Sequence, residues 1–195
     1  MKATTIVPGL TVTSEIFEAA SAGVESHIPE LAPLTWEQFI SPSCWTLVPD
    51  DRGDAYKAEL VLHRTAESTV KINLWRLPDR RGGDQAHPHD HPWPFRSHVL
   101  LGGYDEDRYA SQGGHIVPAR GVSHTSGTVN DLPLAVYHEV TEVHEPDGTL
   151  TLMVCGAGNT GQWGYLDTDT GQHVAMSPDP TFLHRVRALN PHKGY

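Results

Sequence analysis

Cysteine is scarce: Cys44 and Cys155 are the only two in a chain of 195 residues. Two thiols do not make a disulfide framework. Cys155 lies in the apolar run from Leu152 to Gly156, where it reads as a small buried hydrophobe, and a reducing cytoplasm is the expected compartment. Basic residues are also few. Fourteen Lys plus Arg stand against 24 Asp plus Glu, a formal net charge of −10, which argues against the basic footprint that nucleic-acid binding needs. No apolar run approaches the roughly 18 residues of a membrane-spanning helix, so no membrane partner is expected. The opening MKATTIVPGLTV carries one lysine and no sustained apolar stretch, and lacks the pattern of a secretory signal. The chain has no internal repeat and no low-complexity tract.

What it has is punctuation. Eighteen glycines and fifteen prolines separate short apolar runs, the pattern of many short strands in a sandwich or barrel. Helix is expected only near the start: Ser14 to Val24 places Ile16, Phe17 and Ala20 at helical spacing behind a serine cap, and Thr35 with Gln38 forms a capping-box pattern over Thr35 to Ile40. Strands are expected at Ala58–His63, Val70–Leu77, Phe95–Gly102, Gly114–Val117, Ala135–Val143, Thr149–Cys155 and Gly161–Leu166. Glu145-Pro146-Asp147-Gly148 is a turn signal between two of them. This divides the chain into an N-terminal extension with short helices over 1–50, a barrel over 51–175 and a tail over 176–195 that packs on the barrel. Gly156 to Gly161 spells G-x-G-x-x-G, but GQWGYLD after it has no helical period, so the dinucleotide reading fails.

Thirteen histidines make some clustering unsurprising, yet three of them, His87, His89 and His91, alternate along one short segment. Alternate strand residues share a face, so His89 and His91 can present two imidazoles together, with His138 a third from another strand. Neutral imidazoles of this kind suit a late first-row divalent ion. The spacing of the surrounding residues is informative: Gly83, His89, His91 and Gly102 or Gly103 in one group, Gly127, Pro133 and His138 in the other. This resembles the cupin superfamily, whose motifs read G-x5-H-x-H-x(3,4)-E-x6-G and G-x5-P-x-G-x2-H-x3-N. The departures are Phe95 or Arg96 at the glutamate, Ala135 at the second-motif glycine and Glu142 at the asparagine. The resemblance implies an all-β cupin fold, a double-stranded β-helix or jelly-roll-like barrel with a short helical N-terminal extension. Its metal ligands would be His89, His91 and His138, with His87 a loop residue.

Within that superfamily, Tyr56 to Leu77 followed by HPHDHPWPFRS is similar to the cysteine dioxygenase-type iron cupins, over roughly residues 56 to 165 at the level of motifs. That likeness implies Fe(II) on three histidines. Ala58 stands where those enzymes carry a carboxylate-binding arginine, and Arg96 near the position where a cysteine often sits, so cysteine is not carried over as substrate. Simple alternation from the histidines sends Trp93, Phe95 and Ser97 inward; a bulge at the two neighbouring prolines sends Arg96 inward to hold a substrate carboxylate. Val136 and Val140 face in beside His138, with Tyr137 and Glu139 outward. Asn73 and Trp75, or Lys71, line the cavity from one strand, and Trp163 and Tyr165 close it from the last, Arg96 and Tyr165 being the candidate catalytic residues. Three readings stand: oxidation of a small carboxylate-bearing metabolite with Fe(II) and dioxygen, Lewis-acid chemistry on zinc, nickel or manganese, and small-molecule binding without turnover. Cupin pairing through N-terminal strands implies a possible homodimer.

Overall fold

The structure is a computed structural model that describes residues 3–79, 87–112, 115–158, 161, 163–176 and 180–194. Gly83, the first glycine of the first motif, and Gly114, the expected start of a strand, lie outside the described residues.

A hairpin of β1 (Ala3–Val7) and β2 (Leu10–Thr13) leads into helix α1 (Ser14–His27). The cap is Thr13 and not Ser14: its backbone is extended and its hydroxyl accepts the Ile16 N–H at 3.3 Å, satisfying one of the donors every helix start leaves over. Ile16, Ala20 and Val24 then form the buried stripe. Short helix α2 (Trp36–Phe39) carries the expected Thr35–Gln38 capping box, and a 3-10 turn over Pro42–Cys44 follows.

The strands are β3 (Trp45–Pro49), β4 (Ala55–Arg64), β5 (Thr69–Trp75), β6 (Phe95–Leu101), β7 (Gly103–Gln112), β8 (His115–Thr125), β9 (Val129–Leu132), β10 (Val136–Val143), β11 (Thr149–Cys155), β12 (Gly164–Leu166) and β13 (His173–Ala175). One sheet has the order β3-β4-β5-β11-β6-β9, a second β10-β7-β8, and β12 pairs with β13. His89 bridges β10 and β12, pairing with His138 on one side and Tyr165 on the other. The expected all-β architecture is therefore built, with every strand pairing among the described residues antiparallel. Strands β1, β2, β3, β7, β9 and β13 and a helix in the tail depart from the sequence reading. The extension supplies β3 to the large sheet. The charged segment of β7 is a strand although its apolar alternation is weak. The tail forms helix α3 (Pro180–Leu189), tied down by Asn190, whose side chain accepts the Leu47 N–H at 2.7 Å and donates to the Leu47 carbonyl at 2.8 Å.

The two faces of the large sheet are chemically opposite. Ala58 and Leu60 of β4, Ile72 and Leu74 of β5, and Leu150 and Leu152 of β11 pack with α1, Phe39 and Trp45 in one apolar cluster; each such aliphatic side chain, fully buried, contributes about 1.5–3 kcal/mol. The alternate residues Lys57, Glu59, Lys71, Asn73, Trp75 and Thr151 share the other face, where strand pairing sets Lys57 opposite Trp75 and Glu59 opposite Asn73. The apolar weight of the fold thus sits under the N-terminal extension, and the opposite, inner face of the same sheet is free to carry polar chemistry.

Candidate metal site

His89, His91 and His138 come together. Their candidate ligand nitrogens all lie within 4.8 Å of one another, with ring centroids 4.9 Å apart for His89–His91, 4.9 Å for His89–His138 and 5.2 Å for His91–His138. His89 and His138 exchange both backbone hydrogen bonds at 2.9 Å, so their two imidazoles are set by the ladder itself. His91 sits two residues on, where the chain bends through Pro92 and Trp93 before β6 begins.

The donor set fits a metal ion. His138 Nδ1 lies 2.9 Å from Glu106 Oε2. Glu106 is fully buried, a position that works to raise its pKa, but His124, His138 and Arg108 outweigh burial and hold the carboxyl well below the usual carboxylate range. An ionised carboxylate accepts only, so His138 Nδ1 carries the proton and Nε2 presents its lone pair. That lone pair faces His91 Nε2 at 3.0 Å. Imidazole nitrogens sit about 2.0–2.1 Å from a late first-row ion, so two of them at right angles on one ion are about 3 Å apart. His91 is driven far below the usual histidine pKa by burial first and then by the positive fields of His89, His138, Lys57 and Lys71, which keeps it in the neutral, ligating form.

Phe95 shows why the site lacks the motif glutamate. Its ring is buried against His91 at 5.3 Å and His138 at 5.6 Å, an apolar group where the motif has a carboxylate. A buried carboxylate arrives from elsewhere: Asp79 Oδ2 lies 3.5 Å from His89 Nε2. His91, His138 and Asp79 line one small cavity of about 30 Å³ together with Lys57, Lys71 and Trp75, the share of liquid volume taken by about one water molecule.

The remaining expected residues divide. Alternation through β6 is unbroken, so Phe95 and Ser97 are buried and Arg96 faces out. Arg96 is 58% exposed and bound to Asp131 through Nε at 2.7 Å, so no bulge turns it toward the histidines and it is placed outside the site. Tyr165 is partly buried, its ring stacked on His87 at 3.8 Å. His87 is outside the three-histidine group. Val140, Lys71 and Trp75 line the cavity; Asn73 is fully buried near Thr151, with Nδ2 3.4 Å from its hydroxyl. Trp93 reaches the cavity wall and packs near the exposed Trp163 at 6.4 Å. Asp90 and Glu139 are both buried, Asp90 accepting the Gly164 N–H at 2.6 Å and Glu139 the His87 N–H at 3.2 Å.

The sequence reading missed Lys57, Glu59, Asp79 and Glu106. Lys57 Nζ at 3.1 Å and Lys71 Nζ at 2.8 Å converge on one oxygen of Glu59. Burial opposes ionisation of Glu59, but the two ammonium groups prevail and bring its pKa down to about 2. The signal was available in Lys57-x-Glu59 and Lys71-x-Asn73, polar residues at alternate positions of otherwise apolar strands. Ala58 drew attention to the wrong face, since it points into the apolar cluster beneath α1.

No protein-family model matches the chain and no curated protein matches it. Solved structures with similar backbones include KdgF from a Halomonas species, 13% identical with a TM-score of 0.38, covering 53% of this chain and 82% of that one. An RmlC-like cupin from Shewanella frigidimarina is 17% identical with a TM-score of 0.37, covering 57% and 84%. A deletion mutant of Bacillus subtilis oxalate decarboxylase OxdC is 12% identical with a TM-score of 0.39, covering 56% and 28%. These are similarities of backbone over little more than half of the chain. By its own topology the molecule is a fold of antiparallel β-sheets, and it brings three histidines into one cluster. Among the described residues no helix is long and apolar enough to cross a membrane.

Proposed function

We propose that this protein is a mononuclear metal-dependent enzyme that oxidises a small, carboxylate-bearing metabolite with Fe(II) and dioxygen. The observation that carries the reading is the convergence of His89, His91 and His138 within 4.8 Å beside a cavity that Lys57 and Lys71 also line. Fe(II) held by these imidazoles would supply dioxygen chemistry and an anchor for substrate, with about half of an octahedral shell left open.

The chain's own groups divide the remaining work. Lys57 and Lys71 offer ammonium donors to a substrate carboxylate, which is a stronger contact than a neutral hydrogen bond. Trp75, Phe95, Val140 and Met153 make the other walls apolar, which excludes bulk water and strengthens those charge contacts. Glu106 keeps the His138 proton on Nδ1, away from the nitrogen that must bind metal.

A second reading has an observation of its own. The Lys71–Glu59 pair, 2.8 Å apart on the cavity side of the sheet, offers ammonium N–H donors to a substrate oxygen, and imidazoles accept zinc, nickel or manganese as well as iron. Lewis-acid lyase or isomerase chemistry would use both. Metal analysis of protein expressed with iron and purified anaerobically, without an affinity metal, separates the two. Near-stoichiometric iron with substrate-dependent oxygen uptake supports oxidation; bound zinc, nickel or manganese with no oxygen uptake supports the Lewis-acid reading; no metal under any loading condition overturns both.

A further inference from the structure

Beside the small metal-side cavity lies a larger one of about 450 Å³, lined among others by Glu59, Arg64, Thr69, Lys71, Trp93 and Cys155. Lys71 and Trp93 line both spaces, so the two meet at those side chains. The larger cavity is formed at the turn end of the β4–β5 hairpin, where Arg64 pairs with Thr69, and at the end of β11, where Cys155 pairs with Thr69 and Phe95. Its size falls within the roughly 300–1,000 Å³ of small-molecule pockets, whereas the metal-side space of about 30 Å³ is too small to hold a whole substrate.

The cations here are unusual for their concentration. The chain has 14 Lys plus Arg and a net charge of −10, yet three cations, Lys57, Arg64 and Lys71, lie on one hairpin around these two cavities against two lining carboxylates, Glu59 and Asp79. Local field and not net charge decides what enters a pocket. The cations are also ordered in depth. The Lys57 and Lys71 side chains are the inner members, only 10% and 14% exposed. Arg64 is the exposed, outer member.

We propose that the larger cavity binds the distal anionic group of a dicarboxylate substrate, with Arg64 holding that group at the rim and Lys71 holding the other carboxylate at the boundary with the metal-side cavity. This rests on the metal-site reading above and narrows it to a substrate class: a short, flexible α,ω-dicarboxylate, one end directed to the histidines. Guanidinium is fitted to the outer role because it stays charged when exposed and grips a carboxylate through two parallel N–H donors. Trp93, shared between the cavities, gives the intervening methylenes an apolar wall.

The test compares glutarate with pentanoate, equal in carbon number and differing in one carboxylate, by titration calorimetry. It uses wild type and Arg64→Gln, each in the anaerobic Fe(II)-loaded and the metal-free state. Wild type is expected to bind glutarate roughly tenfold more tightly than pentanoate, the size of one charge-assisted contact, and Arg64→Gln to lose that preference while keeping its pentanoate affinity. Equal affinities in wild type, a preference unchanged in Arg64→Gln, or no binding of either acid at millimolar concentration would each overturn the proposal. A preference that persists in protein unable to take up metal would leave the two-point clamp standing and remove the metal reading. Stoichiometric metal with no preference would do the reverse.

Discussion

Glu106 Oε2 lies 2.9 Å from His138 Nδ1, and the other oxygen of the same carboxylate takes Arg108 Nε at 2.5 Å, His124 Nε2 at 2.9 Å and Asn130 Nδ2 at 3.0 Å. Every contact made to this carboxylate needs an acceptor. Glu106→Gln preserves shape but introduces an amide NH₂. If the amide oxygen stays with Arg108 and Asn130, the NH₂ faces His138 Nδ1, which must then give up its proton to Nε2, the nitrogen aimed at the metal. Metal affinity is expected to fall about 10–100-fold, the usual cost of losing the carboxylate behind a metal-binding histidine. Competition titration against a chelator measures it, and an unchanged dissociation constant would show that Glu106 does not set the tautomer.

His138→Ala and His87→Ala separate ligand from neighbour. His138 contributes to the three-histidine cluster, whereas His87 lies outside it with its ring stacked on Tyr165. Metal content after identical loading should drop to background in His138→Ala and stay near the wild-type level in His87→Ala. Equal occupancy in wild type and His138→Ala would remove the ligand assignment.

Gly102 and Gly121 both have φ near +61°, but their surroundings differ. A Cβ on Gly102 would meet Thr149 Oγ1 at 2.5 Å and Thr149 Cα at 3.0 Å, and one on Gly121 would meet nothing within 4 Å. Thr149 cannot move cheaply, because its buried hydroxyl accepts the Gly103 N–H at 3.2 Å and donates to the Gly103 carbonyl at 3.0 Å. Gly121→Ala should cost about 1 kcal/mol, the left-handed backbone penalty alone. Gly102→Ala adds overpacking of about 1–3 kcal/mol. Urea denaturation of the two variants gives the comparison; equal losses would mean that Thr149 yields freely.

Those glycines also show what could be read in advance. Gly102 was legible only as one of two candidates, with Gly103, for the glycine closing the first motif, and its positive φ and close approach to Thr149 are what ask for glycine there. The three histidines were legible because a ladder fixes side-chain direction by counting. Arg96 was misplaced because its direction hinged on whether Pro92 and Pro94 bulge the strand, which local spacing does not decide. Glu106 was invisible because it works through His138, 32 residues on, and Asp79 because its approach to His89 depends on the path the chain takes between them, which spacing does not give. Glu106 is, besides, embedded in an acidic run, DED, whose other members are ordinary surface charges by composition. Helix α3 was missed although Phe182, Val186 and Leu189 recur at helical spacing, a short stripe of which no residue is fully buried.

Glu59 gives a prediction with a fixed sign. Its pKa lies at about 2 in the folded protein against an ordinary 4.5, so the folded state favours the charged form. The stability this contributes is fully present above the unfolded value, near pH 4.5, and is lost as pH falls through about 2. The displacement corresponds to on the order of 3 kcal/mol, and Glu59 is shielded enough, at 19% side-chain exposure, for solvent to leave most of it in place. Glu59→Gln should therefore be less stable than wild type by about that amount at pH 7, with both lysines then facing an amide. The gap should narrow steadily below pH 4.5 as the wild-type carboxylate takes up its proton. Other acid-sensitive groups, Glu106 among them, are common to both proteins and cancel to first order in the difference. Urea denaturation at pH 7, 5 and 3 provides the three points. A gap that stays constant across them would mean that the lysines do not hold the Glu59 charge, and with it would go the argument that this face of the barrel is built around paired ammonium groups.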